Sequence, residues 1–388
     1  MEKITLVSDA INRNDINALI EWLQQDPIPR LTKGDFTVAL EKKWAEMVGT
    51  KYSVFVNSGS SAILLLLAAL KVTGKYSNKI VCPTLSWITD VSTPMLLGFE
   101  PILCDCNLAD LSCDLDNLEQ IFKNNQSDKS MLFISVSPLG IVPKMKEILE
   151  LCAKYNVELL EDNCESMGSK YEGKMLGSFG LASVYSMYFG HHISSIEGGF
   201  VNTDDCELNN ILLSMRSHGW NRDLSDEAKN ELSKGWDVSE FDELYCFYYP
   251  GLNLRSTDVQ AFIGLRALEK LNDYSILRNN NYFYYKEMIT NNELNIETRE
   301  NSFISNLGYP VLHKNRDAIV KELQNQNIEV RPLIAGSIAN KPFWIKKYGK
   351  TKFENADRVD KFGFYLPNHQ DLTIDNIKLI SKTINKFI

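Results

Sequence analysis

Ser186-Met187-Tyr188-Phe189-Gly190-His191-His192-Ile193-Ser194-Ser195-Ile196-Glu197-Gly198-Gly199-Phe200-Val201-Asn202-Thr203 is a polar turn held between two short β-rich runs, 182–186 and 199–201. An unperturbed imidazole has a pKa of about 6.5, so His191 is a good base near neutrality. Similar apolar, β-rich runs recur at 53–56, 79–82, 101–104, 131–136 and 157–160. Helical patterns such as 61–71 and 143–155 lie between them, at the spacing of βαβ units. This alternation predicts an α/β fold with a mostly parallel central sheet and helices on both faces. After Asn253-Leu254-Arg255 the texture changes to one long helical pattern over 257–289, strand-like runs at 308–312 and 328–332, and a terminal helix at 374–387. The expected organisation is an N-terminal helical segment (1–30), a large α/β domain (31–254) and a smaller C-terminal α/β domain (255–388).

Sites in doubly wound sheets collect at the carboxyl ends of the strands, and the polar motifs fall there. Val56-Asn57-Ser58-Gly59-Ser60-Ser61-Ala62 runs from a strand through a small turn into an apolar helix. Free N–H groups at a helix start, with glycine and serine hydroxyls, suit a phosphate dianion, although a plain serine cap fits the same residues. Trp87 follows a strand in Cys82-Pro83-Thr84-Leu85-Ser86-Trp87, where it can stack on a heteroaromatic ring or pack in the core. In Leu159-Leu160-Glu161-Asp162-Asn163-Cys164-Glu165 two adjacent acids end a strand, costly to bury unless each finds a partner. Gly168-Ser169-Lys170-Tyr171-Glu172-Gly173-Lys174 has the spacing of a P-loop, but Met175 replaces the hydroxyl that would hold magnesium, so a hairpin loop is expected.

Composition limits what such a site can serve. A chain of 388 residues with 44% hydrophobic content can bury a large core, and a formal charge of −9 argues against a nucleic-acid surface. An anionic substrate must then meet a local cluster of cations. The eight cysteines form no Cys-x-x-Cys pair and have no histidine at zinc spacing, so reduced thiols and no metal are expected. The start, Met1-Glu2-Lys3-Ile4, has no apolar stretch of signal-peptide type, and no run approaches the length of a membrane span. A soluble, cytoplasmic protein is expected.

Together these motifs resemble the DegT/DnrJ/EryC1 group of fold-type I, pyridoxal-phosphate-dependent sugar enzymes, over about residues 32–369. In that group a serine precedes the cofactor-holding lysine by five residues, and Glu-Gly-Gly begins six residues after it. Counted from Ser186 or back from Glu197, this register puts His191 on the lysine position. Imidazole keeps proton transfer but gives up the covalent anchor. The resemblance assigns the phosphate turn to Gly59 and Ser60, the stacking aromatic to Trp87, the partner of the pyridine nitrogen to Asp162, and a further phosphate-binding hydroxyl to Ser186. It also implies that Asn253 reaches the cofactor phosphate of a neighbouring subunit, and hence an obligate homodimer with a shared site.

Within the group the nearest resemblance is to the 3-dehydratases of GDP-linked sugars. It is carried by Glu161-Asp162-Asn163-Cys164-Glu165-Ser166-Met167-Gly168, Gly190-His191-His192-Ile193, His218-Gly219-Trp220-Asn221-Arg222, Glu329-Val330-Arg331-Pro332 and Pro367-Asn368-His369-Gln370. The resemblance implies pyridoxal 5'-phosphate cycling with pyridoxamine 5'-phosphate, L-glutamate as amino donor, and a GDP-4-keto-6-deoxy hexose or heptose that loses its C3 hydroxyl. A dehydratase of CDP sugars carries a cysteine-rich iron–sulfur insertion after its His-Gly-Trp segment; residues 217–244 here contain no cysteine. Arg222 and Arg331 are expected either to grip the diphosphate or sugar, or to form interface salt bridges. Glu165 and His218 are candidates to line the sugar pocket, and His192 is expected to be structural. A 4-aminotransferase and an inactive binding protein are the rival functions; the first needs lysine at 191, and the second has little reason to keep Trp87, Asp162 and Ser186 together.

Overall fold

The computed structural model describes residues 3–239 and 241–387. In chain order its first strands are β1 (Tyr52–Val56), β2 (Lys79–Pro83), β3 (Glu100–Cys104), β4 (Met131–Val136) and β5 (Val157–Asp162). A short hairpin, β6 (Lys170–Tyr171) and β7 (Lys174–Met175), precedes β8 (Ala182–Ser186) and β9 (Gly199–Thr203). The central sheet has the order β1-β9-β8-β5-β4-β2-β3. Pairing is parallel from β3 through β8 and antiparallel on both sides of β9, so β9 alone opposes the common direction.

The strands are apolar on both faces because helices cover both. Along β4, Phe133 packs with Val81 and Leu159 in one core cluster, while Leu132 and Ile134 pack with Ile80 and Leu160 in another. That alternation is the period of two along a strand. The helix Gly59–Thr73 starts after Ser58, whose hydroxyl accepts the Ser61 N–H at 3.1 Å, and ends at Gly74 in the left-handed region, φ 65°. The hairpin between β6 and β7 turns at Glu172 and Gly173, both left-handed at φ 48° and 77°. The P-loop-like spacing is therefore a two-residue hairpin turn, as expected.

The C-terminal part carries β10 (Ser302–Phe303), which joins β6, and a small antiparallel sheet of β11 (Gly308–Leu312), β13 (Gly363–Pro367) and β12 (Arg331–Pro332). Two expectations are corrected here. The pattern over 257–289 is two helices, Asp258–Leu268 and Leu271–Met288. No glycine or proline marks the break at Glu269-Lys270; it is set by tertiary contacts, Lys270 reaching the Ala10 carbonyl at 3.0 Å and the carboxylate of Asp15. The run 328–332 contributes only Arg331–Pro332 to a strand. Ile328 instead bridges to Ile4, and the Glu329 carboxylate takes the Leu6 N–H at 3.0 Å. No helix among the described residues is long and apolar enough to cross a membrane.

Candidate active site

Three strand ends meet at Gly199. The register places it opposite Val56 of β1 and Ser186 of β8. A Cβ on Gly199 would stand 2.4 Å from the Ser58 carbonyl oxygen and 2.7 Å from the Gly59 nitrogen. The Glu-Gly-Gly of the sequence is thus a packing requirement: only hydrogen lets β9 pass beneath the turn that opens the first helix. Gly199→Ala is expected to lower unfolding free energy by about 1–3 kcal/mol, read by urea denaturation, because backbone atoms must move apart. A Cβ on Gly59 would in turn stand 2.7 Å from Ser186 Cβ and 3.2 Å from Cys164 Sγ. The expected phosphate turn, Gly59 and Ser60, therefore lies against Ser186, whose buried hydroxyl accepts the Tyr188 N–H at 3.3 Å.

From Cys164 the site continues to the paired acids, which part company. Glu161 accepts N–H groups of Gly177, Phe179 and Gly180 at 2.7–2.8 Å and braces the loop ahead of β8. Asp162 ends β5, takes the Cys164 N–H at 2.8 Å, and is 7% exposed. Each acid thereby finds the partner that burial demands. Trp87, past the end of β2, is 56% exposed, so it does not pack in the core of this chain.

His191 follows β8 in a turn closed by its own N–H on the Tyr188 carbonyl at 3.0 Å. Its Nδ1 is buried with no hydrogen-bond partner. Burial, helped by the charge of Arg278 and opposed by Asp162, pulls its pKa down to about 4. Near pH 7 the ring is then neutral with its lone pair open, and it holds a proton less tightly than the ordinary imidazole expected from the sequence. His192 turns the other way: fully buried, its Nε2 lies 2.7 Å from the Ser305 carbonyl oxygen, which makes it the structural member of the pair.

The remaining expected residues form two further groups. Glu165 accepts the Leu139 N–H at 2.9 Å, and burial, reinforced by Asp162, pushes its carboxyl up to about 7. Tyr365 on β13 feels the Glu165 charge and sits opposite Arg331 on β12, so a raised acid, a phenol and an exposed guanidinium share one side. The second group lies along the segment after the helix Cys206–Arg216. The His218 ring stands 4.9 Å from Trp220, and the Arg222 guanidinium lies 3.9 Å over the Trp220 ring. Asn253, exposed, bridges to Ser217 in the same segment, and the next residue offers its carbonyl to the Asn57 N–H at 3.1 Å. The structure thus gathers Gly59, Ser186, Asp162 and His191 into one chain of contacts and electrostatic neighbours, with Glu165 beside Asp162. His218, Arg222 and Asn253 form a cluster of their own.

Sequence reasoning missed Asp90, in the first turn of the helix Thr89–Leu96. It is fully buried and faces Asp162. An acid in a first helical turn reads simply as a partner of the helix dipole, and its spacing carries no other signal.

Together these residues offer helix-start N–H groups, a hydroxyl, a carboxylate, an exposed indole and an unpartnered imidazole nitrogen. That set fits a phosphate-bearing pyridine ring, the expected cofactor.

Known proteins bear on the same region. The sequence model of the DegT/DnrJ/EryC1/StrS aminotransferase family matches residues 9–385. The GDP-4-keto-6-deoxy-D-mannose 3-dehydratase of Yersinia pseudotuberculosis is 31% identical, covering 100% of this chain and 99% of that protein. The E coli GDP-4-keto-6-deoxy-D-mannose-3-dehydratase with bound hydrated PLP superposes with a TM-score of 0.88 at 29% identity, over 99% of this chain and 100% of that one. A histidine-to-asparagine variant of GDP-4-keto-6-deoxymannose-3-dehydratase with bound GDP-perosamine gives the same score, identity and coverage. With the match spanning nearly all of its length, this chain belongs to the DegT/DnrJ/EryC1/StrS aminotransferase family.

Proposed function

We propose that this chain is a pyridoxal-phosphate-dependent C3 dehydratase of a GDP-4-keto-6-deoxy sugar, with L-glutamate as amino donor. The products are a GDP-4-keto-3,6-dideoxy sugar, 2-oxoglutarate and ammonia, with no net consumption of water. The observation that carries this reading is His191, an unpartnered neutral imidazole electrostatically coupled to Asp162, at the position where the family resemblance calls for lysine. Relatives of that activity match the whole chain, and one relative's histidine-to-asparagine variant holds a GDP sugar.

Bound here, the cofactor supplies an electron-withdrawing ring that carries the amino group taken from L-glutamate. Gly59, Ser60 and Ser186 bind its phosphate, and Trp87 covers one ring face. Asp162 holds the proton on the pyridine nitrogen. His191 takes a proton from the carbon attached to the ring and delivers it to the oxygen leaving sugar C3, one imidazole acting as base and then acid. Without an amine at 191 nothing in the turn competes to tether the cofactor, which favours deoxygenation over simple amino transfer. Arg331 and Arg222 supply guanidinium groups for the diphosphate or sugar, with Glu165 and His218 lining the pocket.

A second copy of the chain completes this reading. Tyr188, Phe189, Ile196 and Leu252 are each exposed by 41–56%, and the last adjoins Asn253 in sequence, so apolar side chains are open to a second copy, one of them next to the residue that would serve a neighbour's phosphate. The eight free cysteines, five of them buried, fit a reducing, cytoplasmic setting.

The test is direct. Purified protein is incubated with pyridoxal phosphate, L-glutamate and GDP-4-keto-6-deoxymannose, and product masses are read with ammonia. A sugar lighter by one oxygen with ammonia released is expected; a stable amino sugar overturns the proposal in favour of amino transfer.

A further inference from the structure

Asp90 is buried in an unusual way. Asp110 and Asp258 are as deeply enclosed, but Asp110 binds Arg299 and the Ser112 hydroxyl, and Asp258 takes the hydroxyl of Thr37 and the N–H of Gly34. Both oxygens of Asp90 are enclosed with no donor in reach. The group that meets them is the carboxyl of Asp162, and the other titratable groups around Asp90 are Glu165, Cys82 and Cys164. None of these brings a positive charge.

Two ionised carboxylates are acceptors only, so nothing can join them until one carries a proton. We propose that Asp90 is a positioning residue of the cofactor site, a neutral carboxylic acid that donates its proton in a hydrogen bond to the carboxylate of Asp162. This rests on the reading of Asp162 as the partner of the pyridine nitrogen. Burial, followed by the charge of Asp162, drives the Asp90 carboxyl well above the ordinary carboxylate range, as such a donor requires.

The arrangement has a chemical use. A donor beside Asp162 holds that carboxylate in one orientation, with an oxygen kept for the ring nitrogen. One turn of chain also links the two supports of the ring, because the Asp90 N–H donates to the Trp87 carbonyl at 3.2 Å. The stacking indole and the buried acid are therefore set together.

Two variants of the full-length chain separate this role from simple packing. Asp90→Asn keeps a donor and loses the titratable proton; Asp90→Leu loses both. In the cofactor-free protein near neutral pH, the infrared difference between wild type and Asp90→Asn is expected to contain the carbonyl band of a protonated carboxyl. A wild type without that band overturns the proposal. The sign of the pH effect follows: with its folded pKa raised, Asp90 binds more protons folded than unfolded, so wild-type stability should fall relative to Asp90→Asn as pH rises above the unfolded carboxylate range. In absorbance titrations Asp90→Asn should bind pyridoxal phosphate within about threefold of wild type and Asp90→Leu roughly tenfold more weakly, the loss of one charge-assisted hydrogen bond. Equal affinities for the two variants also sink the role. A wild type that shows the band yet binds no pyridoxal phosphate overturns the function proposed above while leaving the shared proton in place, so the two failures are distinct.

Discussion

His191→Asn is expected to bind pyridoxal phosphate as wild type does and to lose turnover by a factor of about 10²–10⁴, the usual worth of a positioned acid–base group. Asparagine keeps a polar side chain of similar reach in the turn that Tyr188 closes, but has no proton to carry near neutrality. Cofactor absorbance measures the first outcome and ammonia release the second. His191→Lys should reverse the character of the site: a primary amine there can tether the cofactor covalently, seen as cofactor that survives denaturation after borohydride reduction. Full activity in His191→Asn would move the proton transfer to another group. Glu165, pushed up to about 7 by burial and by Asp162, would be the first to test.

Much of this architecture was legible from local pattern, for a physical reason. A strand covered on both faces is nearly continuous in apolar residues, so β4, with Ser135 its one polar member, stands out between charged helices. Sites in such sheets gather where strands stop, so the polar residues after Val56, Pro83, Asp162 and Ser186 mark the candidate site in the sequence itself. What was not legible depends on partners distant in sequence. The reversed direction of β9 leaves no trace in an apolar run that reads the same both ways. The break at Glu269-Lys270 has no glycine or proline to announce it, and the Lys270 contact with Asp15 joins residues 255 apart in the chain. Asp90 looks like any first-turn acid until Asp162 arrives against it. The split between His191 and His192 was anticipated from register, but the Ser305 carbonyl that explains it comes from the C-terminal part of the chain.

Arg216 is the strongest case of a residue whose importance only the fold reveals, and its loss should have the largest effect on stability. It ends the helix Cys206–Arg216 with its side chain fully buried. The guanidinium donates to the Phe55 carbonyl at 2.9 Å, to the Glu41 carboxylate, and to Asp223 at 3.2 Å. Glu41 also takes the Phe55 N–H at 2.8 Å, so both backbone groups of one β1 residue depend on this ion pair. Against the cost of burial, Arg216 and Lys33 hold the Asp223 carboxyl below its ordinary range. Arg216→Leu would leave Glu41 without its cation in a nearly closed space, and breaking such a pair typically costs about 3–5 kcal/mol. Arg216→Lys should recover only part of that, since one ammonium cannot fork between a carbonyl and two carboxylates. Urea denaturation of the three proteins measures the ranking. The same residue reaches the candidate site through its backbone: its carbonyl takes the Leu254 N–H at 3.0 Å, and Leu254 in turn holds the Asn57 N–H, two residues before Gly59. The leucine variant should therefore weaken pyridoxal phosphate binding along with stability, although Arg216 touches neither Gly59 nor Ser186. An Arg216→Leu protein as stable as wild type would show that Glu41 and Asp223 find other partners, and that β1 is held by apolar packing alone.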